Sequence, residues 1–283
     1  MTQTMPGHKP DEYAVIGNPV AHSRSPEIHA AFARQTHQAI SYQRLPCELD
    51  AFAMTVQAFF ERGGMGLNVT LPFKQQAAAF ADHVSARAQA AGAVNTLLRQ
   101  TDGTIAGDNT DGIGLVRDVG TNLQLALAGT RVLILGAGGA VRGVCAPLLA
   151  SSPATLVIAN RTVAKAQAIA TLFDQQGPIT ASSLPDMAQL GPFDLVINAI
   201  SAGLQGDMPE LPAGLFAANA AAYDMIYADQ PTPFLRWAAA QDVAQRRDGF
   251  GMLVEQAAES FHLWRGVRPH TQPVIAQLRP GAA

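Results

Sequence analysis

Apolar and polar positions alternate along the chain in blocks that are typical of an α/β protein. Short uninterrupted apolar runs, such as residues 132–135 and 156–159, alternate with longer segments whose apolar residues recur at a helical period. No repeat of about 20 to 50 residues interrupts this alternation. The pattern therefore predicts strands and helices in turn, with a mainly parallel sheet.

The first half of the chain predicts alternating strands and helices that end in a hairpin. The expected elements are strands at 13–16, 41–45 and 66–70, a helix opened by Pro26, a helix at 50–61, and a hairpin of 94–99 and 104–106. Residues 1–13 have no apolar core, so they are not typical of a secretory signal and are expected to form a frayed tail.

A second block of strands and helices starts at Arg131. The expected strands are 132–135, 156–159, 193–198 and 222–226, and the expected helices are 140–149, 163–173 and 251–264. The run at 132–135 is typical of a parallel strand buried on both faces. A domain boundary is predicted near residues 111–124, and the last helix is expected to return to the first domain.

Composition narrows the classes of function. Of the 283 residues, 48% are hydrophobic and 14% are charged, so general disorder is not expected. A net charge of -3 does not favour a nucleic-acid partner, and proline and serine interrupt the longest uncharged stretches before they reach the roughly 20 residues of a membrane helix. Two cysteines without a CxxC pair indicate neither a disulfide framework nor a metal site. These features fit a soluble cytoplasmic protein of roughly two domains.

A glycine turn follows the strand predicted at 132–135. Gly136, Gly138 and Val141 occupy the three positions of the GxGxx(G/A) pattern, which places a pyrophosphate at a helix N-terminus. Valine departs from the third position and predicts a slightly wider spacing between helix and strand. A tight turn without a ligand is the alternative, so this motif alone does not identify a cofactor.

The next predicted strand ends in residues that distinguish between cofactors. An NAD site places an acidic residue about 20 residues further on, whereas this chain has Asn160, Arg161 and Thr162, with Lys165 one turn later. Arg161 and Lys165 can pair with a 2′-phosphate, which a carboxylate would repel. The helix dipole opposes cations at a helix start, which favours a bound anion. The sequence therefore predicts NADP, and the alternative is a pair of solvated surface cations.

Polar residues of the first half are candidates for a substrate site. Ser23 and Ser25 follow the first strand, where their hydroxyls can bind a carboxylate or hydroxyls, although Ser25 fits an N-cap equally well. Lys74 is expected in the first turn of a helix, and Asp111 lies in a turn beside the domain boundary. Each alone has an ordinary surface or capping explanation. As a pair, they could supply a proton and hold a substrate hydroxyl.

Eight motifs, in order, resemble those of the shikimate dehydrogenase family over nearly the whole chain. They are 17–26 (GNPVAHSRSP), 68–74 (NVTLPFK), 91–96 (AGAVNT), 107–112 (GDNTDG), 136–140 (GAGGA), 160–162 (NRT), 223–227 (YDMIY) and 248–256 (DGFGMLVEQ). Several independent motifs are more specific than a glycine turn alone. The resemblance implies reversible reduction of 3-dehydroshikimate to shikimate with NADPH, a step of aromatic amino acid biosynthesis.

The resemblance also implies a role for each candidate residue. Lys74 and Asp111 are the implied catalytic pair. The implied substrate contacts are Ser23, Ser25, Thr70, Asn95, Tyr227 and Gln256. The implied cofactor contacts are Gly136, Ala137, Gly138, Gly139, Ala140, Asn160, Arg161, Thr162 and Lys165, with Met225 and Gly249 near the nicotinamide. A small-molecule substrate is the implied partner, and the chain is expected to be a homodimer or a monomer without nucleic acid or membrane contacts.

The implied architecture is a two-domain α/β fold. An α/β substrate domain is expected over residues 1–112, with 249–283 returning to it, and a Rossmann-type NADP domain with a mainly parallel sheet is expected over 113–248. Two further residues depart from the family pattern. Lys165 occupies a position where arginine is frequent, so a bidentate contact to the phosphate is replaced by the contact of a single point charge. Ile200 occupies a position where threonine is often found.

Two other functions stay open at the level of sequence. A quinate/shikimate dehydrogenase of broader specificity would favour an acidic residue where this chain has Asn160 and Arg161. A noncatalytic NADP-sensing protein would need the glycine turn, but it would not need Lys74 and Asp111 to face the nicotinamide. Binding of NADPH without turnover would identify such a sensor.

Overall fold

Residues 9–200 and 209–279 are described by a computed structural model, and their contacts divide them into two units. Unit 1 comprises residues 9–89, 93–110 and 257–279, and unit 2 comprises 90–92, 111–200 and 209–256. A frayed tail was expected at residues 1–13, and its first eight residues lie outside the described part of the chain. Its last part is not frayed, because the first strand already begins at Asp11, which pairs with Ile40.

Unit 1 contains a mixed sheet with helices between its strands. Its elements are β1 (Asp11–Gly17), α1 (Ser25–Thr36), β2 (Ile40–Pro46), α2 (Phe52–Glu61), β3 (Gly64–Val69), α3 (Lys74–Phe80), β4 (His83–Val84), most of α4 (Ala86–Ala91), β5 (Thr96–Arg99) and β6 (Ile105–Asp108). The predicted hairpin is present as the antiparallel pair of β5 and β6. The short strand β4 has no apolar run and was not predicted.

The order and direction of the strands bring the ends of several strands to one edge of the unit 1 sheet. Among the described residues the order is β2-β1-β3-β5-β6-β4. Strands β1 and β3 are parallel, and β5 is antiparallel to both β3 and β6. The carboxyl ends of β1, β3 and β6 therefore point the same way. Polar residues that follow these three strands, and those that precede β5, are brought to the same edge.

Unit 2 contains a parallel sheet flanked by helices. Its elements are α5 (Asp111–Arg117), β7 (Arg131–Leu135), α6 (Gly139–Ala150), β8 (Thr155–Ala159), α7 (Val163–Phe173), β9 (Ile179–Ser182), β10 (Phe193–Asn198), β11 (Phe216–Asp224), α8 (Pro233–Ala240), β12 (Gln245–Arg247) and the start of α9 (Phe250–Arg265). Helix α5 continues into a π-helical turn, Asp118–Asn122. The remainder of α9 and α10 (Thr271–Leu278) belong to unit 1.

The strand order of unit 2 is that of a dinucleotide-binding domain. In the described residues it is β12-β11-β10-β7-β8-β9, which is the order 3-2-1-4-5-6 read from the opposite end. Strand β7 contributes Val132 and Ile134 to one apolar cluster and Leu133 and Leu135 to another, so the strand is buried on both faces as predicted. The order changes direction between β7 and β10, which is where such sheets bind their ligands.

The boundaries between the two units fall at slightly different sequence positions from those expected. Residues 111–112 and 249–256 group with unit 2, whereas the sequence assigned them to the substrate domain. The physical reason is close backbone packing. Gly112 lies against the carbonyl of Gly143 and the ring of Pro147, and Gly249 lies against the carbonyl of Met225, so neither position has room for a Cβ.

Candidate active site and dinucleotide site

The turn between β7 and α6 is built to leave its backbone accessible. Gly136 has φ +112°, and a Cβ there would lie 3.1 Å from the carbonyl oxygen of Ala199, so the turn requires glycine. Among the described residues, no atom beyond the chain neighbours and the backbone of α6 lies within 4 Å of the position of a Cβ on Gly138 or Gly139. Helix α6 begins at Gly139 and has no side-chain cap. The turn, including the neighbouring Ala137 and Ala140, therefore fits a pyrophosphate bound at a helix N-terminus.

Val141 occupies the third position of the glycine pattern. Its side chain is fully buried in the core of unit 2, where it forms part of one apolar cluster with Val132 and Ile134 of β7. The side chain therefore faces the sheet and leaves the ligand side of the turn open. The wider spacing expected from valine stays a prediction.

The end of β8 presents positive charge without a competing acid. Asn160 is half-buried, and its Nδ2 donates to the carbonyl oxygen of Thr162 over 2.9 Å. Arg161 and Lys165 are exposed, and neither forms an ion pair within the described part of the chain. The first turn of α7 contains no acidic residue. This arrangement suits a 2′-phosphate, which pairs with cations and would be repelled by a carboxylate.

The structure brings together the two residues that were expected near the nicotinamide. The amide of Met225 donates to the carbonyl of Asn198 over 2.9 Å, and the amide of Gly249 donates to the carbonyl of Ile226 over 3.1 Å. Because Gly249 also lies directly against the carbonyl of Met225, the segment before α9 is held at the carboxyl end of β11. The position of a cofactor relative to these residues stays a prediction.

Asp224 supports this junction and was missed at the level of sequence. Its carboxylate accepts hydrogen bonds from Asn198 Nδ2 at 3.1 Å, Thr232 Oγ1 at 2.5 Å and the amide of Ile226 at 3.0 Å. Burial raises the pKa of Asp224 even though these donors lower it. Its place in the motif 223–227 was the available signal, because Met225 was assigned from the same motif.

Three further candidates lie in unit 2. Asp111 is half-buried and is the first residue of α5. Gln256 is buried on α9, where its Nε2 donates to the carbonyl of Leu253 over 2.9 Å. Tyr227 is 37% exposed, and its ring meets that of Phe250 edge-on at 5.9 Å. Helices α5 and α9 are in close contact, since a Cβ on Gly114 would lie 2.8 Å from Gln256 Cβ.

The serine loop of unit 1 is ordered by its own hydrogen bonds. Ser23 Oγ donates to Ser25 Oγ over 3.2 Å, and Arg44 Nε donates to the carbonyl of Ser23 over 2.9 Å. Ser25 is the first residue of α1, and the N-cap is Arg24, which makes no side-chain cap. The alternative reading of Ser25 as an N-cap was therefore wrong.

Lys74, Thr70 and Asn95 lie at the same edge of the unit 1 sheet. Lys74 is half-buried at the start of α3, and its carbonyl accepts from the amide of Val94 over 2.9 Å. The carbonyl of Asn95 accepts from the amide of Val69, the residue before Thr70, over 2.8 Å. Lys74 and Asp111 belong to different units, so their expected pairing stays a prediction.

A buried polar network around Asn68 was also missed. Asn68 Oδ1 accepts from Tyr42 Oη at 2.8 Å and from His29 Nε2 at 3.2 Å, and its Nδ2 donates to Ser260 Oγ at 2.9 Å. The His29 ring stacks on Tyr42 with centroids 4.2 Å apart. Burial lowers the pKa of His29 to about 3, so the ring is neutral. Because the Asn68 amide oxygen can only accept, we assign the ring proton to Nε2. Only the motif position of Asn68 could have indicated this network.

These features define a class of protein. A parallel sheet of Rossmann order with an open glycine turn belongs to dinucleotide-binding proteins, and the separate α/β unit carries a lysine and hydroxyl groups at one sheet edge. No helix among the described residues is long and apolar enough to cross a bilayer. The class is thus a two-domain dinucleotide-dependent enzyme with a polar small-molecule site.

Comparison with known families identifies the group within this class. Residues 15–97 match the shikimate dehydrogenase substrate binding domain, 119–205 match shikimate / quinate 5-dehydrogenase, and 249–279 match the shikimate 5'-dehydrogenase C-terminal domain. The shikimate dehydrogenase (NADP(+)) of Alkalilimnicola ehrlichii is 58% identical over 95% of this chain and 99% of its own. That of Alcanivorax borkumensis is 56% identical over 94% and 96%. The chain therefore belongs to the shikimate dehydrogenase family.

Solved structures agree with this assignment. An Ael1 enzyme from Pseudomonas putida has a TM-score of 0.92 and 47% identity, covering 96% of this chain and 100% of that one. Shikimate 5-dehydrogenase from Thermus thermophilus, in complex with NADP(H) and shikimate, has a TM-score of 0.82 and 36% identity over 93% and 96%. The predicted family and the two-domain α/β fold class are confirmed.

Proposed function

We propose that the protein is an NADP-dependent shikimate dehydrogenase that reversibly reduces 3-dehydroshikimate to shikimate. The observation that carries this proposal is similarity over the whole length of the chain. Relatives named shikimate dehydrogenase (NADP(+)) are 54% to 58% identical to it and span 94% to 96% of its residues. The reaction is an oxidoreduction at a CH–OH group and a step of aromatic amino acid biosynthesis, and the enzyme is proposed to act in the cytoplasm.

Unit 2 is proposed to hold NADP. The amides of the turn at Gly136–Ala140 would bind the pyrophosphate, because no side chain of the described residues 9–200 and 209–279 covers Gly138 or Gly139. Arg161 and Lys165 would pair with the 2′-phosphate. The hydrogen bond from Asn160 Nδ2 to the carbonyl of Thr162 orders the loop that carries Arg161. Met225 and Gly249 would border the nicotinamide. When bound, the reduced cofactor supplies the hydride for the carbonyl carbon.

Lys74 and Asp111 are proposed as the catalytic pair. The Lys74 ammonium would donate a proton to the developing alkoxide and take it back in the reverse direction. Asp111 would accept a hydrogen bond from a ring hydroxyl and orient the ammonium. The positions of both residues support this proposal. Lys74 is the first residue of α3, at the polar edge of the unit 1 sheet, and Asp111 is the first residue of α5, directly after Thr110.

Hydroxyl and amide groups are proposed to orient the substrate. Ser25 is proposed to donate its hydroxyl proton to the substrate carboxylate, and Ser23 is proposed to do the same after its hydroxyl turns away from Ser25 Oγ, to which it donates in this structure. Thr70 and Asn95 lie at the same sheet edge and would contact ring hydroxyls, together with Tyr227 and Gln256 of unit 2. Unit 1 is accordingly proposed as the substrate domain. The chain would act as a monomer or a homodimer.

A four-way assay tests this function. Oxidation of shikimate and of quinate is measured with NADP+ and with NAD+, and the proposal predicts the highest kcat/KM for shikimate with NADP+. Comparable values for quinate, or for NAD+, would instead indicate the broader quinate/shikimate enzyme. Quenching of NADPH fluorescence on binding, without turnover of any of the four pairs, would identify a sensor and overturn the proposal.

A further inference from the structure

Asp118 and Tyr223 form a buried pair in unit 2 that has no place in the reaction described above. Both side chains are at most 2% exposed. Tyr223 Oη donates to Asp118 Oδ2 over 2.5 Å, and Tyr223 shares a buried apolar cluster with Met252, which lies in the first turn of α9. The carboxylate of Asp118 lies against Gly251, which leaves no room for a Cβ. The pair therefore packs directly against the first turn of α9.

The three segments that meet at this pair each carry a proposed site residue. Asp118 directly follows α5, about two helical turns after Asp111. Tyr223 precedes Met225 by two residues at the end of β11. The first turn of α9 follows Gly249 and precedes Gln256 by about one turn. A shift of any one segment against the pair would move a proposed catalytic, cofactor or substrate contact.

Stability alone gives a weak reason for a carboxylate at this position. Burial raises the pKa of Asp118, which means that its ionised form is disfavoured there. Asn122 Nδ2 connects it to a second carboxylate, donating to Asp118 Oδ1 over 2.8 Å and to Glu255 Oε1 over 3.0 Å. Buried polar groups of this kind often stabilise less than apolar residues of equal volume, but they fix one arrangement of the elements that they join.

We infer that Asp118 and Tyr223 are positioning residues, which hold α5, the end of β11 and the start of α9 in the register that the reaction needs. This inference rests on the proposed function. The pair is not proposed to touch the substrate or the cofactor. It acts through the backbone of α9 and through the helix that begins at Asp111.

The variant Tyr223→Phe tests the inference, because it removes one hydroxyl and keeps the ring. Tyr13→Phe is the matched control, since Tyr13 is also buried and its Oη accepts from Arg265 Nη1 over 3.2 Å in unit 1. We expect kcat for shikimate oxidation to fall about tenfold in Tyr223→Phe, because small misplacements of reacting groups are costly. The KM for NADP+ is measured in the same assay, and the control should change neither kcat nor this KM by more than about twofold.

Amide hydrogen exchange of the free protein provides a second readout. Peptides covering residues 249–256 should exchange faster in Tyr223→Phe than in the unsubstituted protein or in Tyr13→Phe. The inference is overturned if exchange in this segment is unchanged, or if both variants lose kcat equally. Absence of turnover in the unsubstituted protein would refute the proposed function instead, and the exchange comparison would still test the positioning.

Discussion

Lys74 begins α3 at a helix end where the dipole disfavours an ammonium, and it is half-buried there. We predict that Lys74→Ala lowers kcat for shikimate oxidation by about 10²- to 10⁴-fold, because general acid–base catalysis contributes that much. The KM for shikimate should change little. Steady-state kinetics at saturating NADP+ measure both constants, and unchanged turnover would remove Lys74 from the mechanism.

Lys165 provides the contrast for this measurement. Its ammonium is exposed in the first turn of α7 and is proposed to contact only the 2′-phosphate. Lys165→Ala should therefore raise the KM for NADP+ and leave kcat nearly unchanged. If both lysine variants show the same pattern of constants, the two proposed roles are not distinct.

Arg161 is the residue that should decide between the two cofactors. Arg161 follows β8 in the sequence, its guanidinium group is exposed, and the first turn of α7 contains no acidic residue. Arg161→Ala is predicted to raise the KM for NADP+ about tenfold, as the loss of a charge-assisted contact of about 1.5 kcal/mol would do. The KM for NAD+ should move less than twofold. Arg34→Ala, on the exposed face of α1, is the control, and equal effects on both cofactors would contradict the phosphate contact.

His29 makes stability depend on pH. Burial lowers its pKa from 6.5 to about 3, so the unfolded chain binds more protons between these values. Its contribution to the free energy of unfolding is therefore complete above pH 6.5 and is lost as the pH falls toward 3, by up to about 1.4 kcal/mol per pH unit. Urea unfolding from about pH 7 to about pH 5 should show a smaller decline in His29→Gln. The exposed His83→Gln should decline like the unsubstituted protein, and an identical decline in all three would contradict a neutral buried ring.

At the scale of elements, the contact between α5 and α9 depends on Gly114. A Cβ at this position would lie 2.8 Å from Gln256 Cβ and from the carbonyl of Met252. Gly114→Ala should therefore lower the free energy of unfolding by about 1 to 3 kcal/mol through overpacking. Gly120→Ala is the matched control, because a Cβ there would have no atom of the described residues within 4 Å apart from its chain neighbours. Chemical denaturation compares the two, and equal stabilities would mean that the helices are not in tight contact.

Elements with strong apolar runs were predictable from the sequence, and short edge strands were not. Strand β10 and helix α7 have the predicted limits, since burial on both faces or a clear helical period marks them. Strand β11 begins at Phe216, six residues before the predicted start, because its first four residues are half-buried or exposed and do not form an uninterrupted apolar run. Strands β4, β9 and β12 were not predicted, since two to four residues carry too little periodicity. Helix α6, Gly139–Ala150, continues through Pro147 and agrees with the predicted helix at 140–149 to within one residue at each end.

For the protein as a whole, most candidate site residues were assigned from family motifs, and only a few could be inferred from the spacing and charge of the residues themselves. The glycine turn and the cations after β8 have a mechanism that can be read from spacing. The Asn68–Tyr42–His29 network and the Asp118–Tyr223 pair could not be predicted in this way, because each residue alone fits an ordinary core or surface position. Their partners are far away in the chain, and only folding brings them together.

We propose that the Lys74 ammonium of unit 1 and the Asp111 carboxylate of unit 2 act on the same substrate molecule. A crystal structure of the protein with NADP+ and shikimate tests it most directly. We expect Lys74 Nζ and the Asp111 carboxylate to lie within about 2.6 to 3.2 Å of the substrate hydroxyl groups, with Lys74 Nζ next to the hydroxyl oxygen of the carbon that is oxidised. A structure with either group out of hydrogen-bonding reach of bound shikimate would contradict it.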